Sequence, residues 1–135
     1  MVITNSGMAE VAALIGSDTA SSGTAFDYIA IGTGTGAPSA SDTGLGNEQQ
    51  RAAATGTRVT TSVTNDTLQL VKDAFSFSGS YAITEVGVFN SSSGGTMLSR
   101  STFSAVNVTS SDTLKVTVKI QVKQGSSASY FFLFL

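Results

Sequence analysis

The sequence contains no histidine, no cysteine and no tryptophan. Without cysteine it can form neither a disulfide framework nor thiolate metal ligands. Without histidine it lacks the base that normally activates a serine or threonine nucleophile. We therefore predict that the chain is not an enzyme and that it holds no metal ion and no cofactor.

Charged residues are also scarce. They make up 12% of the chain, about half of the usual ~25%, and the net charge is only −2. Serine and threonine take their place, with 21 Ser and 18 Thr among 135 residues. Because a surface with few charges favours association, this composition favours a subunit covered by neighbours. The alternative is a free β domain that owes its solubility to Ser and Thr.

The charges are unevenly distributed along the chain. Residues 1–50 contain five acidic and no basic side chains, whereas residues 51–135 contain seven basic and four acidic ones, giving −5 and +3. The asymmetry fits either head-to-tail contacts between copies or pairing of the two halves within one fold. Neither half is basic enough for nucleic acid, and no apolar run approaches the ~20 residues of a membrane helix. We therefore expect neither nucleic acid nor a membrane as a partner.

The composition favours β structure. Threonine is typical of strands, whereas serine and the 14 glycines are typical of turns, and the length suits one domain. We predict a mostly β chain, a single sandwich-like antiparallel β domain over residues 1–135 with one short N-terminal helix. Residues 1–24 would hold the helix and a loop, residues 25–123 the β core, and residues 124–135 an apolar C-terminal docking strand.

A helical pattern is present near the N-terminus. One apolar face recurs at helix spacing and consists of Met8, Val11, Ala12 and Ile15. This spacing predicts a helix over residues 7–15, which Asn5 or Ser6 can cap and Gly16 can end. Such a short helix must pack on something to persist.

Two segments, residues 26–31 and 83–89, are apolar on both faces apart from one carboxylate each, which predicts buried strands. Residues 45–51 could form a helical turn or an extended arm. Alternation through Val59, Thr61 and Val63 predicts a strand that ends in a turn at Asn65 and Asp66.

The strictest alternation covers residues 114–122 and places three lysines on the wet face, namely Lys115, Lys119 and Lys123. Those lysines could protect a sheet edge from pairing or bind an acidic neighbour, and we favour the first.

Glu85 lies in the middle of a predicted buried strand. A buried carboxylate is costly unless it is paired. We predict that Glu85 forms an ion pair with Arg51 or Arg100 and so joins two strands.

The sequence from residue 131 onward has no polar alternation and follows an aromatic residue. A terminal strand at the surface would expose one of its faces, and a large apolar patch usually marks an interface. We predict an assembly interface formed by Tyr130, Phe131, Phe132, Leu133, Phe134 and Leu135. The alternative is a last strand buried on both faces within the domain.

Possible chemical motifs are weak. The segment from Gly32 to Gly36 is as glycine-rich as a phosphate-binding loop, but no lysine follows it and Pro38 comes directly afterwards. We interpret it as a turn. A glycosidase would need two facing carboxylates, and Asp27, Glu48 and Glu85 are the candidates, for which the context favours structural roles.

Four segments together resemble a known family. They are residues 29–34 (Ile-Ala-Ile-Gly-Thr-Gly), residues 45–51 (Leu-x-x-Glu-x-x-Arg), residues 83–90 (Ile-x-Glu-Val-Gly-Val-Phe-Asn) and residues 94–100, followed by a closing strand over residues 112–122. Over residues 1–123 the chain is similar to tailed-phage virion proteins, namely the tail-collar fibre and tail-fibre N-terminal domain family.

The resemblance implies a non-enzymatic, multi-copy structural component of a virion, a homo-oligomer (a trimer is one possibility) that contacts other virion proteins. The expected role is that of a tail-tip or baseplate adaptor, or of an adaptor that anchors a fibre. Capsid decoration is an alternative. A carbohydrate-binding module for host attachment is another; it would need exposed aromatic rings, for which the chain offers only Tyr28, Tyr81 and Tyr130 besides its phenylalanines.

Overall fold

A computed structural model describes residues 1–16 and 23–125. They form one helix and eight strands. In chain order the elements are β1 (Val2–Ile3), α1 (Asn5–Ile15), β2 (Tyr28–Gly32), β3 (Glu48–Ala53), β4 (Thr55–Val59), β5 (Thr67–Ser76), β6 (Tyr81–Phe89), β7 (Met97–Val108) and β8 (Thr113–Gln121).

The strands form two antiparallel sheets. The larger sheet has the order β1-β7-β6-β2-β3, and the smaller has the order β4-β5-β8. The chain passes from the larger to the smaller sheet twice by short connections, through Ala54 between β3 and β4 and through residues 109–112 between β7 and β8. This arrangement confirms the predicted mostly β, sandwich-like antiparallel domain with one short N-terminal helix.

The main core lies between the two sheets. The larger sheet contributes Ile29, Ile31, Val88 and Leu98, and the smaller sheet contributes Leu70, Phe75 and Val118. These residues are at most 6% exposed, and burial of each aliphatic or aromatic side chain contributes about 1.5–3 kcal/mol. The strict alternation in β8 places Val118 inward and Lys115 and Lys119 outward, as predicted.

The opposite face of the larger sheet is also covered. Ala30, Phe89 and Met97 form a second buried cluster on which Leu45, from the loop between β2 and β3, packs. Strand β2 therefore has buried side chains on both faces, which explains its unbroken apolar sequence. In segment 45–51, a bend at Gly46 and Asn47 is followed by residues 48–51 of β3, so the segment is mostly extended and does not form the helical turn that the sequence left open.

Two element boundaries differ from the sequence prediction. The helix begins at Asn5, and its cap is Thr4, whose hydroxyl accepts a hydrogen bond of 2.8 Å from the amide of Gly7. The predicted caps Asn5 and Ser6 are therefore wrong. Thr4 is fully buried, and its hydroxyl also donates to the carbonyl of Met97, so tertiary contact selects the cap.

The second boundary concerns β4, which ends at Val59 and not at Val63. The carboxylate of Asp66 accepts hydrogen bonds from the amides of Thr61, Ser62 and Val63, at 2.9–3.0 Å. These bonds curl the chain into a loop in which Asn65 has a φ of 61°. A side-chain acceptor that binds neighbouring amides competes with strand pairing.

Candidate functional site

Glu85 is the most deeply buried charged side chain among the residues described, with an exposure of 0%. Its Oε2 accepts hydrogen bonds from the amides of Gly34 (2.7 Å) and Asn47 (2.8 Å). Its Oε1 accepts from the amide of Gly46 (2.8 Å) and from Nε of Arg100 (3.0 Å). Four donors, three of them backbone amides, thus compensate the desolvation of one carboxylate.

Arg100 is the partner of Glu85 and extends the network. Its Nη1 lies 3.1 Å from Oδ2 of Asp42, and its Nη2 donates to the carbonyl of Gly36 at 3.0 Å. Glu85 and Arg100 stand on adjacent strands β6 and β7, whereas Gly36, Asp42 and Gly46 belong to the β2–β3 loop. The network therefore fixes this loop onto the outer face of the larger sheet.

The electrostatics match this geometry. Burial by itself raises the pKa of Glu85, but the hydrogen bonds from Asn47, Gly46, Gly34 and Arg100 outweigh burial, so the pKa lies below its ordinary value of 4.5. Burial by itself lowers the pKa of Arg100, and the contacts with Glu85 and Asp42 reverse that shift and raise it. Both groups are held in the charged form.

The glycines of the β2–β3 loop serve this internal carboxylate. A Cβ on Gly34 would lie 2.5 Å from Oε2 of Glu85, and a Cβ on Gly32 would collide with the carbonyl oxygen of Asn47. The loop that resembles a phosphate cradle by composition therefore binds an anion supplied by the protein itself. The amides of Thr33 and Gly34 are engaged, with the carbonyl of Asn47 and with Glu85, in agreement with the interpretation of this loop as a structural turn.

Arg51 pairs elsewhere. It forms a two-pronged ion pair with Glu48, at 2.8 and 3.0 Å, and Nη1 donates to the carbonyls of Ser91 (3.0 Å) and Gly94 (2.8 Å). Its guanidinium carbon lies 3.5 Å from the centroid of the Phe89 ring. Arg51 thus fixes the β6–β7 loop to β3.

The three carboxylates considered for catalysis do not form a common site. Glu85 is bound to Arg100 and Glu48 to Arg51, while Asp27 is exposed at the start of β2. Among residues 1–16 and 23–125, no group of three acidic side chains is placed to hold a metal ion. Glu85 and Glu48 therefore act as parts of the fold.

The sequence did not identify Asp42, Gly46 and Asn47 as members of the network. Two of them act through backbone amides, which carry no residue signature, and Asp42 lies in a polar loop whose path depends on contacts far away in the chain. Ser39, whose amide donates to Asp42 at 2.9 Å, offers a local signal, because an Asp three residues after a Ser is common in turns.

Apolar side chains are exposed on two surfaces. The first is the face of α1, where Met8, Leu14 and Ile15 are 53%, 41% and 84% exposed. The residues predicted to be its packing face point mainly to solvent, and only Gly7 of this helix is buried. The helix contacts β7 at its first turn, where a Cβ on Gly7 would lie 2.8 Å from the backbone of Leu98.

The second surface is a groove of about 320 Å³ between the two sheets, on the side where β7 and β8 diverge. We call it the β7–β8 groove. Phe103 and Val106 of β7, each 40% exposed, form one wall. Val86 and Ile31 form its floor, and Leu114 to Thr117 of β8 form the other wall.

The predicted interface residues, Tyr130 to Leu135, lie outside the described residues. Tyr28 and Tyr81 are half-buried and pack against core clusters, with the ring of Tyr81 6.0 Å from that of Phe77. These two tyrosines therefore contribute to packing.

Comparisons with protein-family models, with curated proteins and with solved structures found no match. The helix in the described part of the chain is too short to cross a membrane.

Proposed function

We propose that this chain is a non-enzymatic structural protein of a tailed virus particle, present in several copies as an adaptor at the tail tip or baseplate that anchors a fibre. The observation that carries the proposal is the exposed apolar surface of α1 and of the β7–β8 groove on a chain with few charges. Contiguous apolar surface of this kind marks contact sites between proteins.

The viral assignment is supported by the resemblance to tail-fibre N-terminal domains. Its four quoted segments occupy or flank the strands β2, β3, β6 and β7, all of one sheet. They include Glu85, Arg100 and Arg51, which tie the two loops to that sheet. If the chain shares its domain architecture with that family, the segments that carry the resemblance are expected to lie next to one another in the fold.

A mechanical role also agrees with the use of the charged groups. Loops of the same chain form hydrogen bonds with Glu85, Arg100 and Arg51. No buried side-chain polar atom in the described residues lacks a hydrogen-bond partner. A scaffold fixed in this way can transmit load between neighbours without a change of conformation. Apolar contacts would then supply association, at about 25 cal/mol per Å² of buried apolar area.

Quantitative mass spectrometry of purified virus particles that encode this chain tests the proposal. The expected result is that the protein is present in a small fixed copy number that matches tail symmetry. Hundreds of copies would place it on the capsid and overturn the adaptor role, and its absence from the particles would overturn the viral role altogether. Removal of residues 131–135 should leave a folded domain that no longer enters particles.

A further inference from the structure

We propose that the β7–β8 groove receives residues 131–135 of a second copy of the chain. This inference rests on the proposed function, because it names the contact by which copies would join. The groove offers an apolar site that the described residues leave unfilled, and the segment Phe131-Phe132-Leu133-Phe134-Leu135 offers five apolar side chains in a row.

Within residues 1–16 and 23–125, no strand closes the two sheets on the side of the groove. Strand β1 pairs with β7 only at Ser99 and Arg100, so in the described chain the outer edge of β7 beyond Arg100 has no partner strand. Among the described strands, β8 is likewise bonded on one side only, to β5. Free strand edges beside an apolar groove are what an added peptide strand binds, by backbone hydrogen bonds and alternate side chains.

The residues that line the β7–β8 groove favour the binding of an apolar segment. Phe103, Val106, Leu114 and Val116 face the groove, and Lys115 stands at its rim. A volume of about 320 Å³ is enough for two or three large side chains of an incoming strand. Phe131, Leu133 and Leu135 are alternate residues, which a β-strand places on one face.

Length permits the contact. Ten residues, 126–135, follow the described part of the chain, and an extended segment of that length spans about 33 Å. Strand β8 ends at Gln121, and the amide of Val122 is bonded to the carbonyl of Asp66. The segment therefore leaves from the end of β8 that is far from Leu114, and it can reach a neighbouring molecule.

A second copy fits better than the same molecule. If residues 131–135 folded back as a hairpin on their own β8, Phe132 and Phe134 would face water, because alternate residues of a strand point to opposite faces. Between two molecules, one face of the segment can fill the groove while the other is covered at the junction. The absence of polar alternation in this segment suits a site that covers both of its faces, as a junction between two molecules does.

The absence of cysteine provides a clean test. Val106→Cys places a thiol at the groove wall, where Val106 is 40% exposed, and Leu133→Cys places one in the segment. Because each chain carries a single thiol, a disulfide between residues 106 and 133 in a mixture of the two variants must join two molecules. We expect this heterodimer on non-reducing electrophoresis, with the linked peptides identified by mass spectrometry. Val63→Cys, on an exposed loop outside the groove, replaces Val106→Cys as the control and should give no link.

Three results would overturn the proposal: no 106–133 link in the mixture, an equal yield with Val63→Cys, or a link that forms within one chain of the double variant and not between chains. As a second measurement, Phe103→Ser should weaken self-association by about tenfold or more, while Val63→Ser leaves it unchanged. If particles contain the protein but no 106–133 link forms, the groove proposal alone fails and the structural role stands.

Discussion

Arg51 and Arg100 lie in one row across the larger sheet, separated by Ala30 and Gly87. The register pairs Arg51 with Ala30, Ala30 with Gly87, and Gly87 with Arg100. Directly paired residues place their side chains on the same face, so both guanidinium groups emerge beside the smallest residues of the sheet. From there Arg100 reaches Glu85 and Arg51 covers Phe89, two residues to either side of Gly87.

Glu85→Gln tests the first of these contacts. The substitution keeps the shape of the side chain but turns its amino group toward backbone amides and leaves Arg100 with only Asp42 as a charged partner. We expect a loss of about 3–5 kcal/mol in the free energy of unfolding, as for other broken buried ion pairs, measured by urea denaturation. Asp73→Asn is the control, since Asp73 is 88% exposed, and should leave the midpoint unchanged. Equal midpoints for both variants would contradict the role assigned to Glu85.

The decrease in the free energy of unfolding at low pH should depend on the same residue. The pKa of Glu85 is lowered in the folded state, so its contribution is fully present above the ordinary value of 4.5 and is lost as the pH falls through that value toward the folded pKa. Unfolding free energies measured from pH 7 to pH 3 should therefore be level at first and then decline. In Glu85→Gln the decline should be shallower, and an identical slope would show that Glu85 does not titrate with unfolding.

Asp66 supplies a second, independent part of this decline. Its amide donors at Thr61, Ser62 and Val63 hold its pKa well below the ordinary value of 3.8. Asp66→Asn should remove the part of the acid slope that lies below pH 3.8, while the slope from Glu85 is kept. A double variant whose slope equals that of either single variant would show that the two groups do not act separately.

The β2–β3 loop offers a matched pair of glycines. Gly34→Ala forces a methyl group to within 2.5 Å of Oε2 of Glu85, whereas a Cβ on Gly36 meets no atom within 4 Å. We expect Gly34→Ala to cost about 1–3 kcal/mol, as overpacked sites do, and Gly36→Ala to be neutral or stabilising by up to about 1 kcal/mol. Thermal unfolding of the two variants measures the difference, and equal melting temperatures would contradict the close approach.

These contacts show where sequence reasoning stops. Alternation of apolar residues predicted β8 and its inward Val118, and the apolar surroundings of Glu85 predicted that it needs a cation. The choice between Arg51 and Arg100 was not available from the sequence, because both stand in the same row and only the positions of Glu48 and Asp42 separate them. The cap at Thr4 and the end of β4 at Val59 were missed for a related reason: a distant strand and a loop carboxylate override local preferences.

The exposed face of α1 was also not foreseen. Periodicity shows that a helix has an apolar face, but it does not show whether the same chain covers that face. Here the small Gly7 permits close contact at the first turn, whereas the bulky residues that follow, such as Met8 and Ile15, are exposed. The sequence pattern thus predicts which side of a helix is apolar. Whether that side is buried depends on where the whole fold places the helix.

Thr4 joins α1 to β7, and its two roles can be separated by substitution. Thr4→Ser keeps the hydroxyl that caps Gly7 and bonds Met97, whereas Thr4→Val keeps the shape and loses both bonds. Loss of a cap costs about 1 kcal/mol, and an unpaired carbonyl at a buried site adds about 1–3 kcal/mol. We therefore expect Thr4→Val to lower the unfolding free energy by about 2–4 kcal/mol, and Thr4→Ser to lower it far less. If the two variants are equally stable, packing of the methyl group and not the hydroxyl holds the helix in place.

Arg51→Lys separates a local from a global effect. Lysine retains the charge next to Glu48 but cannot form two parallel bonds and also reach the carbonyls of Ser91 and Gly94. Since Glu48 is 32% exposed, the ion pair itself contributes little, about 0–1 kcal/mol. We expect a small change in the free energy of unfolding together with faster amide hydrogen exchange in residues 91–95. Arg58→Lys, on the exposed β4, is the control and should leave exchange in these residues unchanged. Unaltered exchange in Arg51→Lys would mean that the turn keeps its conformation without the guanidinium, through bonds such as those between Asn90 and Thr96.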